Sequence, residues 1–304
     1  MDVRSSPSVS RRVSLRSGLS LHVHEWEAAP DGDAEHTVLL LHGFLDHGGG
    51  FRRLVEAGLG GRVHVVAPDL RGHGDSDRVG AGGYYHFFDY LSDVEGVVEQ
   101  TARKRLSVVG HSMGGMVAGY FTGTFPERVK ALALLEGMGP PATEDTSPAR
   151  VRGWLGGWAR QAGRAPRRMS LDEAAARLRE NDPLLDEEGA RAEAARATRP
   201  SGEAGLVEWK HDPLHLTTAP YAFRLDVAER FWGETRCPVL VVDGARSDFR
   251  YDEAEAARRR AAFTRAPSVE RVILDGAGHM MQRHRPRELA ALLLDFVTRA
   301  RSSG

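Results

Sequence analysis

The chain has 304 residues, of which 41% are hydrophobic and 27% are charged, and these fractions are typical of a globular protein large enough for one α/β domain with an insert. Its formal net charge of −1 excludes a strong field for nucleic acid or an anionic membrane, and no apolar run approaches the roughly 18 residues that span a bilayer. Cys237 is the only cysteine and residues 1–10 lack the apolar core of a secretory signal, so we expect a cytoplasmic protein without an intrachain disulfide.

Apolar runs and helical periodicity predict alternating strands and helices. In chain order these are a hairpin of strands at 13–15 and 19–26, strands at 37–41 and 63–67, a helix at 89–102, a strand at 106–109, a helix after it, a strand at 131–135, a helix at 171–180, a strand at 238–242, a helix at 252–264, a strand at 269–274 and a closing helix at 286–299. Polar residues 30–36 are predicted as a loop. The pattern predicts a sheet with helices on its faces.

The strand at 106–109 leads into Gly110-His111-Ser112-Met113-Gly114, and a run that can wind into a helix follows. A Gly-X-Ser-X-Gly sequence between strand and helix is typical of a nucleophile elbow. The glycines remove side chains that would clash where the chain doubles back. We therefore predict Ser112 as a nucleophile, with the backbone N–H of Met113 placed to bind an oxyanion.

Residues 140–235 differ in character from the rest of the chain. Apolar runs of strand type are absent there, and segments rich in Ala, Arg and Glu at helical spacing replace them. Four of the five tryptophans also lie in this part. We predict a helical cap at 140–235 on a core formed by 1–139 and 236–304, and its tryptophans either line a pocket or pack the cap onto the core.

Three further residues are candidates to act with Ser112. His279 follows Gly276-Ala277-Gly278 at the end of the last predicted strand, where its side chain can reach over the sheet. Asp248 and Glu136 follow the predicted strands at 238–242 and 131–135. Serine, acid and histidine occur in this order in α/β-hydrolases, whereas the chymotrypsin and subtilisin types have other orders.

The sequence resembles the α/β-hydrolase superfamily along nearly its whole length. The matching segments are His42-Gly43-Phe44, residues 69–76, residues 110–115, residues 244–248 and residues 276–279. The resemblance implies the α/β-hydrolase fold, which is a mostly parallel sheet of about eight strands flanked by helices, with a cap inserted after the sixth strand.

The resemblance also implies a role for each candidate. Ser112 would attack a carbonyl, His279 would accept and return its proton, and an acid would orient His279. We favour Asp248 as this acid because superfamily members usually carry it after the seventh strand. Glu136 is the alternative, since certain haloalkane dehalogenases carry theirs after the sixth.

The backbone N–H groups of Phe44 and Met113 would form the oxyanion hole. Residues beside these groups, and three tryptophans of the predicted cap, are expected to contact the substrate. They are His42, Gly43, Leu45, His111, Trp154, Trp158 and Trp209. No metal-ligand cluster or cofactor motif is recognised in the sequence.

These residues predict a cofactor-free serine hydrolase that cleaves an ester or a similar acyl bond of a small substrate. Carbon–carbon bond hydrolysis of a diketone-type substrate is the alternative, because Gly-X-X-Ser-Asp at 244–248 resembles the same segment of such enzymes. A third hypothesis is a ligand receptor with the same fold that is a slow catalyst or no catalyst. Haloalkane dehalogenases and epoxide hydrolases use Asp as the nucleophile, so Ser112 argues against both. The oligomeric state is left open.

Overall fold

A computed structural model describes residues 8–141, 147–161 and 164–302. Its strands are β1 Val9–Ser14, β2 Ser20–Trp26, β3 Ala28–Leu41, β4 Gly61–Pro68, β5 Arg105–His111, β6 Val129–Leu135, β7 Arg168–Met169, β8 Thr198–Pro200, β9 Val207–Trp209, β10 Val239–Gly244 and β11 Val269–Leu274. Its α-helices are α1 Arg52–Leu54, α2 Asp89–Thr101, α3 Met113–Thr124, α4 Pro148–Gln161, α5 Leu171–Asn181, α6 Glu187–Ala197, α7 Leu225–Trp232, α8 Glu253–Ala261, α9 Met281–His284 and α10 Pro286–Ser302. Short 3-10 helices span Gly48–Phe51 and Pro213–Leu216, and a π-helical turn spans Val55–Leu59.

Eight of the strands form one sheet in the order β1-β2-β4-β3-β5-β6-β10-β11. β2 pairs antiparallel with β1 and β4, and the other neighbours pair parallel. The predicted mostly parallel eight-stranded sheet is therefore confirmed, with the predicted hairpin at its antiparallel edge. Because the parallel strands share one direction, the loops after β3, β5, β6, β10 and β11 meet at one edge of the sheet.

Helices cover both faces of the sheet. Successive residues of β5 alternate between two apolar clusters: Val108 belongs to the one that includes α2, α3 and α7, and Val109 to the one that includes α1 and α10. A parallel sheet needs this double cover because neither of its faces is polar enough for water. No helix of the described part of the chain is long and apolar enough to cross a membrane.

The predicted loop at 30–36 is wrong. These polar residues extend β3 at its start, and two register shifts interrupt the pairing with β4 before the buried part begins at His36. Asp33 forms an ion pair with Arg105 of the neighbouring strand. The polar side chains at 30–36 belong to the exposed end of a strand and not to a loop. At this end, ion pairs between neighbouring strands take the place of the apolar contacts of the buried part.

The segment 140–235, predicted as a helical cap, contains α4 to α7 and also a small sheet in the order β7-β9-β8. Residues 142–146 and 162–163 of this segment lie outside the described residues. Its centre has an apolar cluster of its own, formed mainly by α5 and α6. α7 differs from this centre, because Trp232 belongs to the cluster of the large sheet and stacks on Phe263 at 5.4 Å. The division of the chain at 235 and the role of a cap remain predictions.

Candidate active site

Ser112 lies in the turn between β5 and α3 with φ 51° and ψ −119°, a backbone conformation that residues other than glycine rarely adopt. Its N–H donates to the carbonyl of Leu135 at 2.9 Å, which ties the turn to β6. A Cβ at Gly110 would lie 2.3 Å from the carbonyl oxygen of Gly114, and one at Gly114 would lie 2.2 Å from that of Leu41. Only glycine fits at both positions, and this close packing holds the strained turn in place.

His279 lies beyond the end of β11, and its side chain is 22% exposed. Its Nδ1 atom is 2.5 Å from Oε2 of Glu136, which follows β6. Ser112 and His279 line the same pocket. The structure thus brings the predicted nucleophile, the predicted base and a carboxylate to one end of the sheet.

The carboxylate of Glu136 accepts hydrogen bonds from three donors. Oε1 accepts from the N–H of Gly244 at 2.8 Å, and Oε2 accepts from Oγ of Ser247 at 2.7 Å in addition to its contact with His279. Burial by itself raises the pKa of Glu136, but the hydrogen bonds from His279, Gly244 and Ser247 outweigh it and lower the pKa below its ordinary value. Glu136 is therefore ionised at neutral pH.

Asp248, the acid that we favoured, is not the residue that contacts His279. It is exposed at the rim of the pocket, and its carboxylate makes no hydrogen bond or ion pair with the described residues. The reason is the path of the loop after β10, in which Gly244 and Ser247 both turn toward Glu136 and the chain then carries Asp248 outward. Glu136, the alternative acid, takes the position beside His279.

The loop after β3 passes directly beside the nucleophile. A Cβ at Gly43 would lie 3.3 Å from Cβ of Ser112 and 2.8 Å from Nδ1 of His111, so only glycine allows this approach. The loop is anchored by Asp46, which forms a buried ion pair of 2.8 Å with Arg283. Phe44 and Leu45 line the pocket, and Met113 is the first residue of α3, so its N–H has no acceptor within that helix. Both predicted oxyanion donors thus belong to segments that border Ser112.

The two histidines beside these segments support the loops. His42 is fully buried and absent from the pocket lining, and its Nε2 accepts from the N–H of Leu70 at 2.9 Å, so the structure does not bring it to the place where a substrate contact was expected. Nε2 of His111 donates to the carbonyl of His279 at 2.9 Å, and His111 lines the pocket. Burial lowers the pKa of His111 to about 3, so the ring is neutral and positions the main chain of His279.

A pocket of about 1040 Å³ lies between the end of the sheet and the inserted segment. Trp209 lines it, as predicted for a tryptophan that contacts the substrate. Trp154 and Trp158 are not part of its lining; their rings pack on each other at 5.2 Å and on Tyr84 at 5.4 and 5.5 Å. These two tryptophans attach α4 to the loop before α2, so the structure does not bring them into the pocket where a substrate contact was expected.

Two residues to which the sequence assigned no role of their own support the acid. Ser247 donates to Glu136, as described above. Arg259, within the predicted helix at 252–264, is fully buried and donates to the main-chain carbonyls of Met138 and Pro140, just after Glu136. The Arg-rich run of α8 held no signal that one of its members points inward.

Two groups of side chains in the described residues have the spacing of metal ligands, and neither lines the pocket. The first is His22, His24 and Asp69, and the second is Glu25, Glu27 and His64. Asp69 already accepts from the N–H groups of Gly48 and Asp75 at 2.7 and 2.8 Å. Its carboxylate therefore fastens the loop at 69–75.

Comparison with known proteins gives one family. A family model described as the α/β hydrolase fold matches residues 36–286. A serine hydrolase-like protein of Danio rerio is 30% identical, and the match covers 86% of this chain and 81% of the relative. Epoxide hydrolase A of Mycobacterium tuberculosis is 26% identical over 86% of this chain and 90% of its own. Among solved structures, the thioesterase domain from the curacin biosynthetic pathway superposes with a TM-score of 0.78 at 25% identity, over 95% of this chain and 100% of that chain.

Proposed function

Because the chain belongs to the α/β-hydrolase family, we propose that it is a serine hydrolase that cleaves an ester or a similar acyl bond of a small substrate. The observation that carries this proposal is the grouping of Ser112 on its strained turn, His279 in the same pocket and the buried Glu136 on Nδ1 of His279. The serine hydrolase-like relative and the solved thioesterase domain support a reaction at an acyl carbonyl.

The reaction that these residues support has two halves. Nε2 of His279 accepts the proton of Ser112 as Oγ attacks the carbonyl carbon, and the N–H groups of Phe44 and Met113 bind the oxyanion that forms. Collapse of this intermediate breaks the acyl bond, and His279 returns the proton to the leaving alcohol or thiol. Water then attacks the acyl-enzyme with His279 again as base, and Ser112 and the free acid are regenerated.

Glu136 acts through His279. A carboxylate on Nδ1 holds the imidazole in the tautomer whose Nε2 accepts a proton, and it stabilises the imidazolium during the reaction. The three donors on Glu136 keep this carboxylate ionised and oriented. The Asp at the elbow that epoxide opening requires is replaced by Ser112, and we therefore do not extend the activity of the mycobacterial relative to this chain.

The test is a panel of 4-nitrophenyl esters with short and medium acyl chains, together with styrene oxide. We expect turnover of at least one ester, loss of that turnover in Ser112→Ala, and labelling of Ser112 by a fluorophosphonate. Ser201→Ala, which removes a part-buried hydroxyl outside the lining of the pocket, is the control and should keep both activity and labelling. Ester turnover that survives in Ser112→Ala, or opening of styrene oxide without hydrolysis of any ester, would show that the proposal is wrong.

A further inference from the structure

Five arginines and five acidic residues line the pocket above Ser112. Arg164 and Arg167 reach it from the segment before β7, Arg177 from α5, and Arg246 from the loop after β10. None of these four guanidinium groups makes a hydrogen bond or an ion pair with the described residues. Four cations from three separate segments thus line one pocket in a chain whose formal net charge is −1.

Some arginines of the inserted segment that lie outside the pocket lining have an acidic partner. Arg168 pairs with Glu203, Arg196 with Glu193 and Arg199 with Glu208. Residues 147–170 contain six arginines and no Asp or Glu. Arg152, Arg160, Arg179 and Arg230 have no ion pair with the described residues either, so the arginines of the pocket are distinguished by their position beside the reaction site.

Three of the five carboxylates that line the pocket have partners other than these arginines. Asp46 pairs with Arg283, Asp182 with His284 and Glu193 with Arg196, so all three carboxylates already have cationic or hydrogen-bonding partners. Glu173 lies near Arg167 and Arg177, but its carboxylate accepts the N–H of Ser170 at the start of α5. Glu180 and Asp248 remain without a partner in the described residues, which leaves four free cations against two free anions.

We propose that the substrate carries an anionic group, a carboxylate or a phosphate, at a distance from the bond that is cleaved, and that Arg164, Arg167, Arg177 and Arg246 bind it. Guanidinium groups match both anions with paired N–H donors, and a cleft concentrates their field. The apolar lining near Ser112, which includes Phe44 and Leu45, would hold the uncharged part of the substrate. This inference rests on the proposed serine hydrolase activity and adds the class of substrate.

Two pairs of substrates test it and also locate the anion. On the acyl side, 4-nitrophenyl hydrogen adipate is compared with 4-nitrophenyl hexanoate. On the leaving-group side, butyryl coenzyme A is compared with the butyryl thioester of N-acetylcysteamine. We expect a higher kcat/KM for the anionic member of at least one pair, and we expect this preference to shrink at high salt, because ions screen exposed charges over roughly 10 Å at 0.1 M.

The variants are Arg177→Gln and the triple change Arg164→Gln/Arg167→Gln/Arg177→Gln. The single change should raise KM for the preferred anionic substrate about twofold to fivefold, which is the usual effect of one exposed charge pair, and the triple change tenfold or more. KM for the neutral member should stay unchanged. Arg179→Gln is the matched control, because it removes the same charge from the same helix at a position outside the pocket lining.

Equal kcat/KM within both pairs, or an equal loss in Arg179→Gln and Arg177→Gln, would overturn the inference and leave the hydrolase activity standing. Binding gives a readout without turnover. In the Ser112→Ala protein, calorimetry should detect tighter binding of the adipate ester than of the hexanoate ester, and the triple change should abolish the difference. Equal binding of the two esters would overturn the inference, whether or not the protein proves to be a hydrolase.

Discussion

Nδ1 of His279 lies 2.5 Å from Oε2 of Glu136, although 143 positions separate the two residues in the chain. Glu136 has a φ of 45°, a backbone conformation that is unusual for a residue other than glycine. Its N–H donates to the carbonyl of Val242, and its side chain is 2% exposed. Such a conformation costs of order 1–3 kcal/mol and persists only where its surroundings fix it. Here it directs the carboxylate at the imidazole.

Glu136→Gln should therefore remove most of the activity. The amide keeps the shape of the side chain but favours the wrong imidazole tautomer, and a comparable change in another triad lowered kcat by about 10⁴. We expect kcat of Glu136→Gln to fall by about 10³ to 10⁴ on the best nitrophenyl ester. Asp248→Asn should stay within about threefold of the unmodified protein, because its carboxylate does not touch His279.

Circular dichroism and thermal unfolding of both variants show whether the fold is retained. The double variant of Ser112→Ala with Glu136→Gln should be little worse than Ser112→Ala alone, since residues of one catalytic unit do not contribute additively. Severe loss in Asp248→Asn combined with a mild effect of Glu136→Gln would contradict the assignment of the acid.

Gly43→Ala tests the loop that carries the N–H of Phe44. The added methyl group would lie 2.8 Å from Nδ1 of His111 and 3.3 Å from Cβ of Ser112, so the loop must move away from the nucleophile. Losing one oxyanion donor typically lowers kcat by about 10²–10³, and we expect a fall of about 100-fold with little change in KM. Gly153→Ala is the control, because a Cβ there meets no atom within 4 Å. Equal kcat in the two variants would contradict the placement of the oxyanion hole.

The sequence predicted the sheet well because each strand carries a local signal. The predicted strand at 269–274 coincides with β11, and the apolar run at 37–41 forms the buried end of β3. The choice between two acids carries no such signal. Glu136 and Asp248 both follow parallel strands whose carboxyl ends meet at one edge of the sheet, so spacing places both near His279. The backbone of Glu136 and the hydrogen bond from Ser247 decide between them, and both depend on tertiary contacts.

The positions of the tryptophan side chains likewise could not be predicted from the sequence, because they depend on tertiary contacts. Composition identified four tryptophans in the inserted segment, but a tryptophan that lines a pocket and one that packs on a tyrosine have the same sequence pattern. Trp209 lines the pocket, while Trp154 and Trp158 pack on Tyr84. The tertiary path of α4, which crosses the loop before α2, is what places Trp154 and Trp158 on Tyr84 and outside the pocket lining.

This difference gives a prediction for substrate selection. Trp209→Ala removes an apolar contact from the pocket and should raise KM about tenfold with kcat nearly unchanged, as expected when binding is lost equally in the ground and transition states. Trp158→Ala should instead leave KM unchanged and lower the free energy of unfolding by about 1–3 kcal/mol, because it leaves a gap against Tyr84 and Trp154. Michaelis–Menten kinetics and urea unfolding measure the two effects. The reverse pattern would show that Trp158 is the residue that selects the substrate.

The last prediction concerns stability at acidic pH. Burial lowers the pKa of His111 and of His215 to about 3 in the folded protein, and burial with neighbouring His215 lowers that of His73 well below its usual value. As the pH falls below about 6.5, the unfolded chain binds protons at these three side chains and the folded chain does not. Their contribution to stability is therefore complete above about pH 6.5 and is lost progressively as the pH falls toward the folded pKa values. For His111 and His215 the loss should be about 2 kcal/mol each between pH 7 and pH 5. His215→Gln should make the decrease in the free energy of unfolding between these pH values, measured with urea, about 2 kcal/mol smaller. The substitution also removes the stacking of His215 on Tyr85 at 3.9 Å and therefore lowers stability at pH 7.

His86→Gln, at an exposed position, is the matched control and should keep the decrease of the unmodified protein. A free energy of unfolding that does not change between pH 7 and pH 5 would contradict the assignment of these rings as neutral and buried.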